Sequence, residues 1–355
     1  MSDSLQSSSH IPDPVSPIRK VGIIGEGKMG TGIFYYLLDY NYDLVWLCSP
    51  KADCGLLMKQ FGKRIKRSMD AGIIDLARFT KLLETIITNE TGLLHDCDLI
   101  IEAIPENLIL KKNLFEQLDG IVKPEAVFTS NTSSINPSEI SPRGIRNGKF
   151  AGLHFFYPLP LKNIAELLVT SATTVQTRTS VEAFLGSIHR PYLLLEEKNS
   201  FILNKIFLDF QNEASIIVRE EHCTVHQMDQ LVKKHFFPFG VFDFCDSVGI
   251  DTMLTSVLNY TKDHPFQDHY GFFITLLKNL VAEGKLGMKA GEGFYKYPVD
   301  PSVAEEFEGT PDIVDHLRQT WLSTIRRFTA QSHIPIDDMN SAVKEYFGIE
   351  HGPFE

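Results

Sequence analysis

Cysteine is scarce and scattered: Cys48, Cys54, Cys97, Cys223 and Cys245 form no CxxC pair, so they give no metal framework and fit free thiols in a reducing compartment. Basic residues are also in short supply, 34 Lys and Arg against 45 Asp and Glu, for a formal net charge of -11. A nucleic-acid binder needs a concentrated basic face, so that class is set aside and any anion site must be local. No apolar run is long enough to cross a bilayer, which argues against a membrane partner. Residues 1–17 are rich in Ser and Pro, poor in Lys and Arg, and lack an apolar signal core. They read as a disordered arm without a secretory or transit signal, and the expected compartment is the cytoplasm.

What is present is an ordinary globular composition, 43% hydrophobic and 22% charged over 355 residues. That length exceeds what one core usually serves, so two domains with room for a third element are expected. From Lys20 the chain turns abruptly apolar, Val21-Gly22-Ile23-Ile24, and runs straight into glycines. A helical stretch to Tyr40 and a second buried strand, Leu44 to Leu47, make a strand-helix-strand unit with both strands side by side in one sheet. Residues 53–88 read as an insertion of two basic amphipathic helices. Strands follow at Asp98 to Ala103, Ala126 to Ser130, Lys149 to Phe155 and Ala165 to Val169, with a helix from Asn107 to Gly120. Such alternation predicts an α/β fold, a Rossmann-type doubly wound parallel sheet over residues 18–199. Helical periodicity then takes over, as in Ile206, Phe210, Ala214 and Ile217, and predicts an all-α C-terminal domain over 200–298 that closes on a Gly-rich segment ending in Phe294-Tyr295.

Gly25-Glu26-Gly27-Lys28-Met29-Gly30 is a GxGxxG placed after a strand and before a helix. Glycines there permit a tight turn and close backbone approach, and the helix N-terminus offers free N–H groups to a pyrophosphate. The second strand of such a site normally ends in an acidic residue that holds the ribose, but here Cys48-Ser49-Pro50-Lys51 supplies none. NAD, with its ribose held by Ser49 or backbone, is the leading expectation. The missing charge leaves NADP admissible, with Ser49 and Lys51 facing a 2′-phosphate. Further along, Glu106 and Asn131 stand just beyond strand ends, where open α/β sheets place ligands. His154 follows a strand within Gly152-Leu153-His154-Phe155-Phe156-Tyr157-Pro158, and Glu166 lies downstream. A lone His among aromatics is usually a packed core residue; its place near a strand end, with a carboxylate candidate, is what singles this one out.

From the glycine loop through Phe294-Tyr295 these motifs, in this order, resemble the L-3-hydroxyacyl-CoA dehydrogenase family, 3-hydroxybutyryl-CoA dehydrogenases included. The resemblance implies a nicotinamide-dependent oxidoreductase of fatty acid metabolism that interconverts 3-hydroxyacyl- and 3-ketoacyl-CoA. It implies His154 as general base, Glu166 as the group orienting it, Ser133 and Asn204 as contacts to the substrate oxygen, and Glu106 and Asn131 lining the nicotinamide ribose and ring. Elementary chemistry agrees: imidazole can take the proton of a 3-hydroxyl near neutral pH, and a paired carboxylate stabilises the imidazolium. Two positions depart from the family pattern. Tyr157 stands where the family commonly has Asn, which leaves the acyl group open, and Cys48 stands where it has Asp.

Lys59, Lys63, Arg64, Lys66 and Arg67 cluster on the inserted helices. A solvated helix face is the ordinary explanation of such a run, but in an acidic chain it suits the phosphates of coenzyme A, and the resemblance places that ligand near the same hairpin. Rival readings are a dehydrogenase of a free hydroxy acid such as carnitine or a sugar acid, which needs no remote phosphate clamp, and a non-catalytic dinucleotide-binding module, which retention of His154 and Glu166 disfavours. Residues 299–355 lie beyond the usual extent of the family. Met339 to Phe347 there echoes Met228 to Phe236, as a truncated repeat would, and Ile313, Leu317, Trp321, Ile325 and Phe328 form one apolar stripe behind a Thr310-Pro311 helix start. Family members pair through their helical domains, so a homodimer is expected, and the stripe should pack on its own helical domain or reinforce that contact.

Overall fold

Apolar strands and capped helices alternate from Lys20 onward in the computed structural model, which describes residues 17–220, 222–262, 267–299 and 310–355. The arm expected over residues 1–17 lies, apart from Pro17, outside the described residues. The sheet-forming part runs β1 (Lys20–Ile24), α1 (Lys28–Leu37), β2 (Asp43–Leu47), α2 (Cys54–Asp70), α3 (Leu76–Leu82), β3 (Ile86–Thr88), β4 (Leu99–Glu102), α4 (Leu108–Asp119), β5 (Val127–Ser130), α5 (Pro137–Ile140), β6 (Phe150–Phe155), β7 (Ala165–Val169), α6 (Val175–Ser187) and β8 (Tyr192–Glu196). Val21, Ile23, Leu99, Ile100 and Ile101 have no exposed surface, as expected of central strands covered on both faces. Side chains set several helix starts: Asp53, Asp75, Asn107 and Thr174 each accept a hydrogen bond from an amide of the first turn.

The eight strands form one sheet in the order β3-β2-β1-β4-β5-β6-β7-β8. Strand order reverses between β1 and β4, which opens the ligand crevice at the carboxyl ends of those strands. Two details differ from the sequence reading. The 53–88 stretch is not wholly helical, because Ile86–Thr88 pairs with β2 as a short edge strand. The sheet is not uniformly parallel either: β7 pairs antiparallel with β6, and β8 runs parallel to β7. The connection from β6 to β7 is too short for a crossover helix, so the chain must return as a hairpin.

The helical part comprises α7 (Ile202–Arg219), α8 (Val225–His235), α9 (Val241–Val248), α10 (Ile250–Thr261), α11 (Gly271–Ala282), α12 (Pro311–Ser332) and α13 (Ile336–Phe347). The tail stripe packs on this chain's own α7, and Leu317, Trp321 and Ile325 share one core with Ile206, Phe210 and Ala214. Asp209 on α7 ties the tail down by accepting from Thr324 Oγ1 at 3.1 Å and from the Arg327 guanidinium. The Gly-rich segment docks on α9, where Asp246 accepts from the amides of Phe294 and Tyr295, both at 2.9 Å. A Cβ at Gly293 would lie 2.1 Å from Asp246 Oδ1, so only glycine fits.

Asp229 of α8 plays the same part at the start of α9. It accepts from the Phe242 and Asp243 amides at 2.9 Å and from the Tyr295 hydroxyl at 2.6 Å. In the tail, Asn340 accepts from the Phe354 amide at 3.1 Å. Burial, reinforced by the charge of Asp243, outweighs the hydrogen bonds and pushes the Asp229 carboxyl up to about 6. The folded chain therefore holds this proton more tightly than the unfolded chain, and that contribution to stability is lost as pH rises through about 6. Asp229→Asn should accordingly lower Tm most at low pH, with the gap to wild type narrowing as pH rises from 4 to 7. A gap independent of pH, measured by thermal melts across that range, would show that Asp229 titrates normally.

Candidate active site

Gly25 ends β1 with φ +113, a conformation that favours glycine. A Cβ there would meet the Ala103 carbonyl oxygen at 2.6 Å, and one at Gly30 would meet the Gly25 oxygen at 2.1 Å. Gly27 is different: among the described residues no atom beyond its two chain neighbours lies within 4 Å of its Cβ position. That open space faces the start of α1, whose first turn carries no acidic residue and whose cap has no side chain to satisfy the amides. The loop thus has the room, the free donors and the positive helix end that a pyrophosphate requires. Met29 packs against the sheet core, and Lys28 Nζ stands 6.0 Å from the centre of the Tyr157 ring.

The acidic residue missing from the end of β2 comes instead from the glycine loop. Glu26 accepts from the Ser49 amide at 2.9 Å and from the Ser49 hydroxyl. Partial burial pushes the Glu26 carboxyl up, but these hydrogen bonds outweigh it and hold the carboxyl below its ordinary value. Ser49, expected to hold the ribose directly, is therefore engaged by Glu26. Cys48 turns its thiol into the core, 3% exposed, and burial pushes it up to about 12.

Beneath the crevice lies a buried ion network. Lys111, 1% exposed, donates to Glu102 Oε1 at 2.7 Å and lies 3.4 Å from Glu106 Oε2. Glu106 Oε1 gathers the loop after β5, accepting from Thr132 Oγ1 at 2.7 Å, the Ser133 amide at 3.0 Å and the Ser134 amide at 2.9 Å. Burial pushes this carboxyl up, yet Lys111 and the loop donors prevail and keep it low. Asn131 bridges two strand ends, its Oδ1 accepting from the Phe155 amide at 2.8 Å. Glu106 and Asn131 are thus first of all scaffolding for the loop that carries Ser133.

The antiparallel turn from β6 to β7 puts His154 directly opposite Glu166. His154 Nδ1 donates to Glu166 Oε2 at 2.9 Å, and both groups are buried. The other oxygen, Oε1, accepts from the Leu203 amide in the first turn of α7 at 3.2 Å. Phe156 and Phe201 flank the imidazole, with ring centres 4.3 and 5.7 Å away. Asn204, one turn into α7, donates from Nδ2 to the Tyr260 hydroxyl at 2.9 Å, and Tyr260 donates to the Ser133 carbonyl at 2.7 Å. His154, Glu166, Ser133 and Asn204 are therefore joined through the seam between the two parts of the chain. Tyr260, Glu26 and Lys111 were not singled out from sequence: the first has no motif around it, Glu26 acts through Ser49 on the next strand, and Lys111 reads as an ordinary helix-surface lysine until the fold buries it against Glu102.

Tyr157 and the basic cluster both face solvent. Tyr157 is 54% exposed, with Lys28 Nζ 6.0 Å from its ring centre. Lys63, Arg64, Lys66 and Arg67 lie on the solvent side of α2, with Arg64 stacked on Tyr35 at 4.1 Å and Lys66 paired with Asp70 at 3.3 Å. Among the described residues no helix is long and apolar enough to cross a membrane.

A glycine loop at the switch point of a doubly wound sheet, joined to a helical unit, is the layout of a nicotinamide-dependent dehydrogenase. The family model described as 3-hydroxyacyl-CoA dehydrogenase, NAD binding domain, matches residues 20–197, and that for the 3-hydroxyacyl-CoA dehydrogenase C-terminal domain matches 201–297, so the chain belongs to the 3-hydroxyacyl-CoA dehydrogenase family. It is an oxidoreductase family, and the matched NAD binding domain makes the cofactor a nicotinamide dinucleotide. A probable 3-hydroxybutyryl-CoA dehydrogenase from Deinococcus radiodurans is 32% identical over 284 residues, 78% of this chain and 100% of that one. The crystal structure of (S)-3-hydroxybutyryl-CoA dehydrogenase PaaH1 from Ralstonia eutropha aligns with a TM-score of 0.70 at 28% identity, covering 79% of this chain and 99% of that one. The 3-hydroxybutyryl-CoA dehydrogenase structure from Escherichia coli shares the fold over 95% of this chain and 90% of its own, with a TM-score of 0.78 at 18% identity.

Proposed function

We propose that this protein interconverts the 3-hydroxy and 3-keto groups of an acyl-CoA thioester, with His154 as general base and NAD as the preferred dinucleotide. The observation that carries the reading is the buried His154–Glu166 pair beside the β5 loop. The carboxylate accepts the Nδ1–H hydrogen bond, which leaves Nε2 as the nitrogen that receives the 3-hydroxyl proton in oxidation and returns it in reduction. Glu166 holds the tautomer and stabilises the imidazolium. Asn204 keeps one N–H beyond the one given to Tyr260, and among the described residues the Ser133 hydroxyl makes only a long 3.5 Å contact with Glu106. Both groups are thus available to the developing carbonyl oxygen. Gly25, Gly27, Gly30 and the first turn of α1 would hold the dinucleotide, which when bound supplies or accepts the hydride.

NAD is favoured because the Glu26 carboxylate stands beside Ser49, where a 2′-phosphate would meet like charge. Lys63, Arg64, Lys66 and Arg67 are read as a clamp for the nucleotide phosphates of coenzyme A, and Tyr157 as part of the cleft mouth. The tail, 310–355, is read as a truncated second copy of the α7–α8 unit: Leu203, Ile206, Phe210, Ala214 and Ile217 stand at one constant offset from Val314, Leu317, Trp321, Ile325 and Phe328, and the same offset relates Met228 to Met339. The same reading has the protein act as a homodimer in the cytoplasm.

His154→Ala or Glu166→Gln should lower kcat with a 3-ketoacyl-CoA and NADH by about 100- to 10,000-fold for the histidine, less for the glutamate, while NADH affinity by fluorescence titration stays near wild type. Near-normal turnover in His154→Ala removes the base assignment. Glu26→Gln should shift the kcat/KM ratio towards NADPH, and an unchanged ratio would mean that this carboxylate does not read the ribose. Neutralising Lys63, Arg64, Lys66 and Arg67 together should raise KM for full CoA thioesters far more than for truncated thioesters lacking the nucleotide. Equal effects on both would return the cluster to the status of a solvated face and favour a free hydroxy acid.

A further inference from the structure

Both family matches end by residue 297, yet one side chain from beyond that point reaches the candidate site. Tyr346, in the last turn of α13, is 5% exposed. Its hydroxyl lies 3.0 Å from Asn204 Oδ1. Its ring stands edge-on to Phe156 at 5.0 Å, and Phe156 in turn lies against His154. Its carbonyl oxygen accepts from Lys162 Nζ, on the loop that joins β6 to β7. The residue is therefore pinned between the two walls of the site, the loop following His154 and the first turn of α7.

The direction of the hydrogen-bond chain follows from its far end. The Ser133 carbonyl can only accept, so Tyr260 must donate to it, and the Tyr260 oxygen is left to accept from Asn204. That requirement turns Nδ2 of Asn204 towards Tyr260 and Oδ1 towards Tyr346, which must then be the donor. Burial, with Tyr260 and Glu166 nearby, pushes the Tyr346 phenol well above its ordinary value, so it keeps its proton. An amide can be turned over at little steric cost, and only its partners decide which end faces a ligand.

We propose that Tyr346 is a positioning residue: the tail-borne phenol locks the Asn204 amide with nitrogen, not oxygen, available to the substrate carbonyl, so that the site is complete only with α13 in place. This rests on the reading of Asn204 as a carbonyl-polarising group. Without the phenol Tyr260 alone holds the amide; once Tyr260 swings its proton from the Ser133 carbonyl to Oδ1, the amide turns over and presents an acceptor to the substrate oxygen, a repulsive contact in place of an attractive one.

The test uses the full-length protein and the variants Tyr346→Phe, Asn204→Ala and the double variant, assayed with a 3-ketoacyl-CoA and NADH. Tyr346→Phe keeps the ring and loses only the hydroxyl. It should lower kcat about three- to tenfold, the worth of one hydrogen bond, with NADH affinity unchanged. In the Asn204→Ala background the same substitution should have no further effect. In wild type the Asn204 side-chain amide should give one sharp NMR signal pair that broadens or shifts in Tyr346→Phe. Unchanged kcat in Tyr346→Phe, or an equal fold-loss with and without Asn204, overturns the proposal and leaves Tyr346 as packing. If Asn204→Ala itself turns over normally, the reading of Asn204 fails first and the proposal falls with it.

Discussion

A carboxylate without solvent must find partners or lose its charge, and Glu166 meets that constraint with one partner from each half of the molecule. One oxygen takes the imidazole of His154 across the β6–β7 pair; the other takes an amide at the start of α7. The same charge sits at the positive end of that helix, where it is favoured. Orientation of the proposed base and docking of the helical part are therefore one interaction. The reversal of β7 follows from the same need, since only an antiparallel return over a short loop sets two residues so close in sequence directly opposite each other.

Around this point the polar groups are organised in two tiers. Three charged residues, Glu102, Lys111 and Glu106, pair with one another and shape the loop after β5. Neutral groups with one hydrogen-bonding position left over, Ser133 and Asn204, are the ones proposed to meet the carbonyl oxygen. On the proposed reading the division makes physical sense: these charges hold backbone, while the groups meeting the carbonyl oxygen are dipoles held in fixed orientations.

Much of this was legible in the sequence, and the exceptions have identifiable causes. The glycine loop, the central strands and the tail stripe announce themselves through unbroken apolar runs or helical spacing. Ile86–Thr88 did not, because three residues following two amphipathic helices carry too little periodicity to register. α6 is rich in Thr and Ser and has little amphipathic contrast, so its existence rests on the Thr174 cap and on packing. His154 and Glu166 were read from a motif, but their register was not, since a uniformly parallel sheet would have kept them apart. Glu26 was counted merely as the x of a glycine motif; its role depends on Ser49, which only the pairing of β1 with β2 brings within reach.

One feature of the hydrogen-bond chain bears on how this site tolerates change. Its terminal acceptor is a main-chain oxygen, that of Ser133, and no substitution at that position can turn it into a donor. The polarity of the Tyr260 and Asn204 links is thus inherited from the backbone rather than from any replaceable group. Side chains along the chain can drift, provided each offers a donor towards residue 133 and the far end keeps its donor towards the Asn204 oxygen, and the orientation will be the same. Sequence variation is in this way decoupled from electrostatic direction.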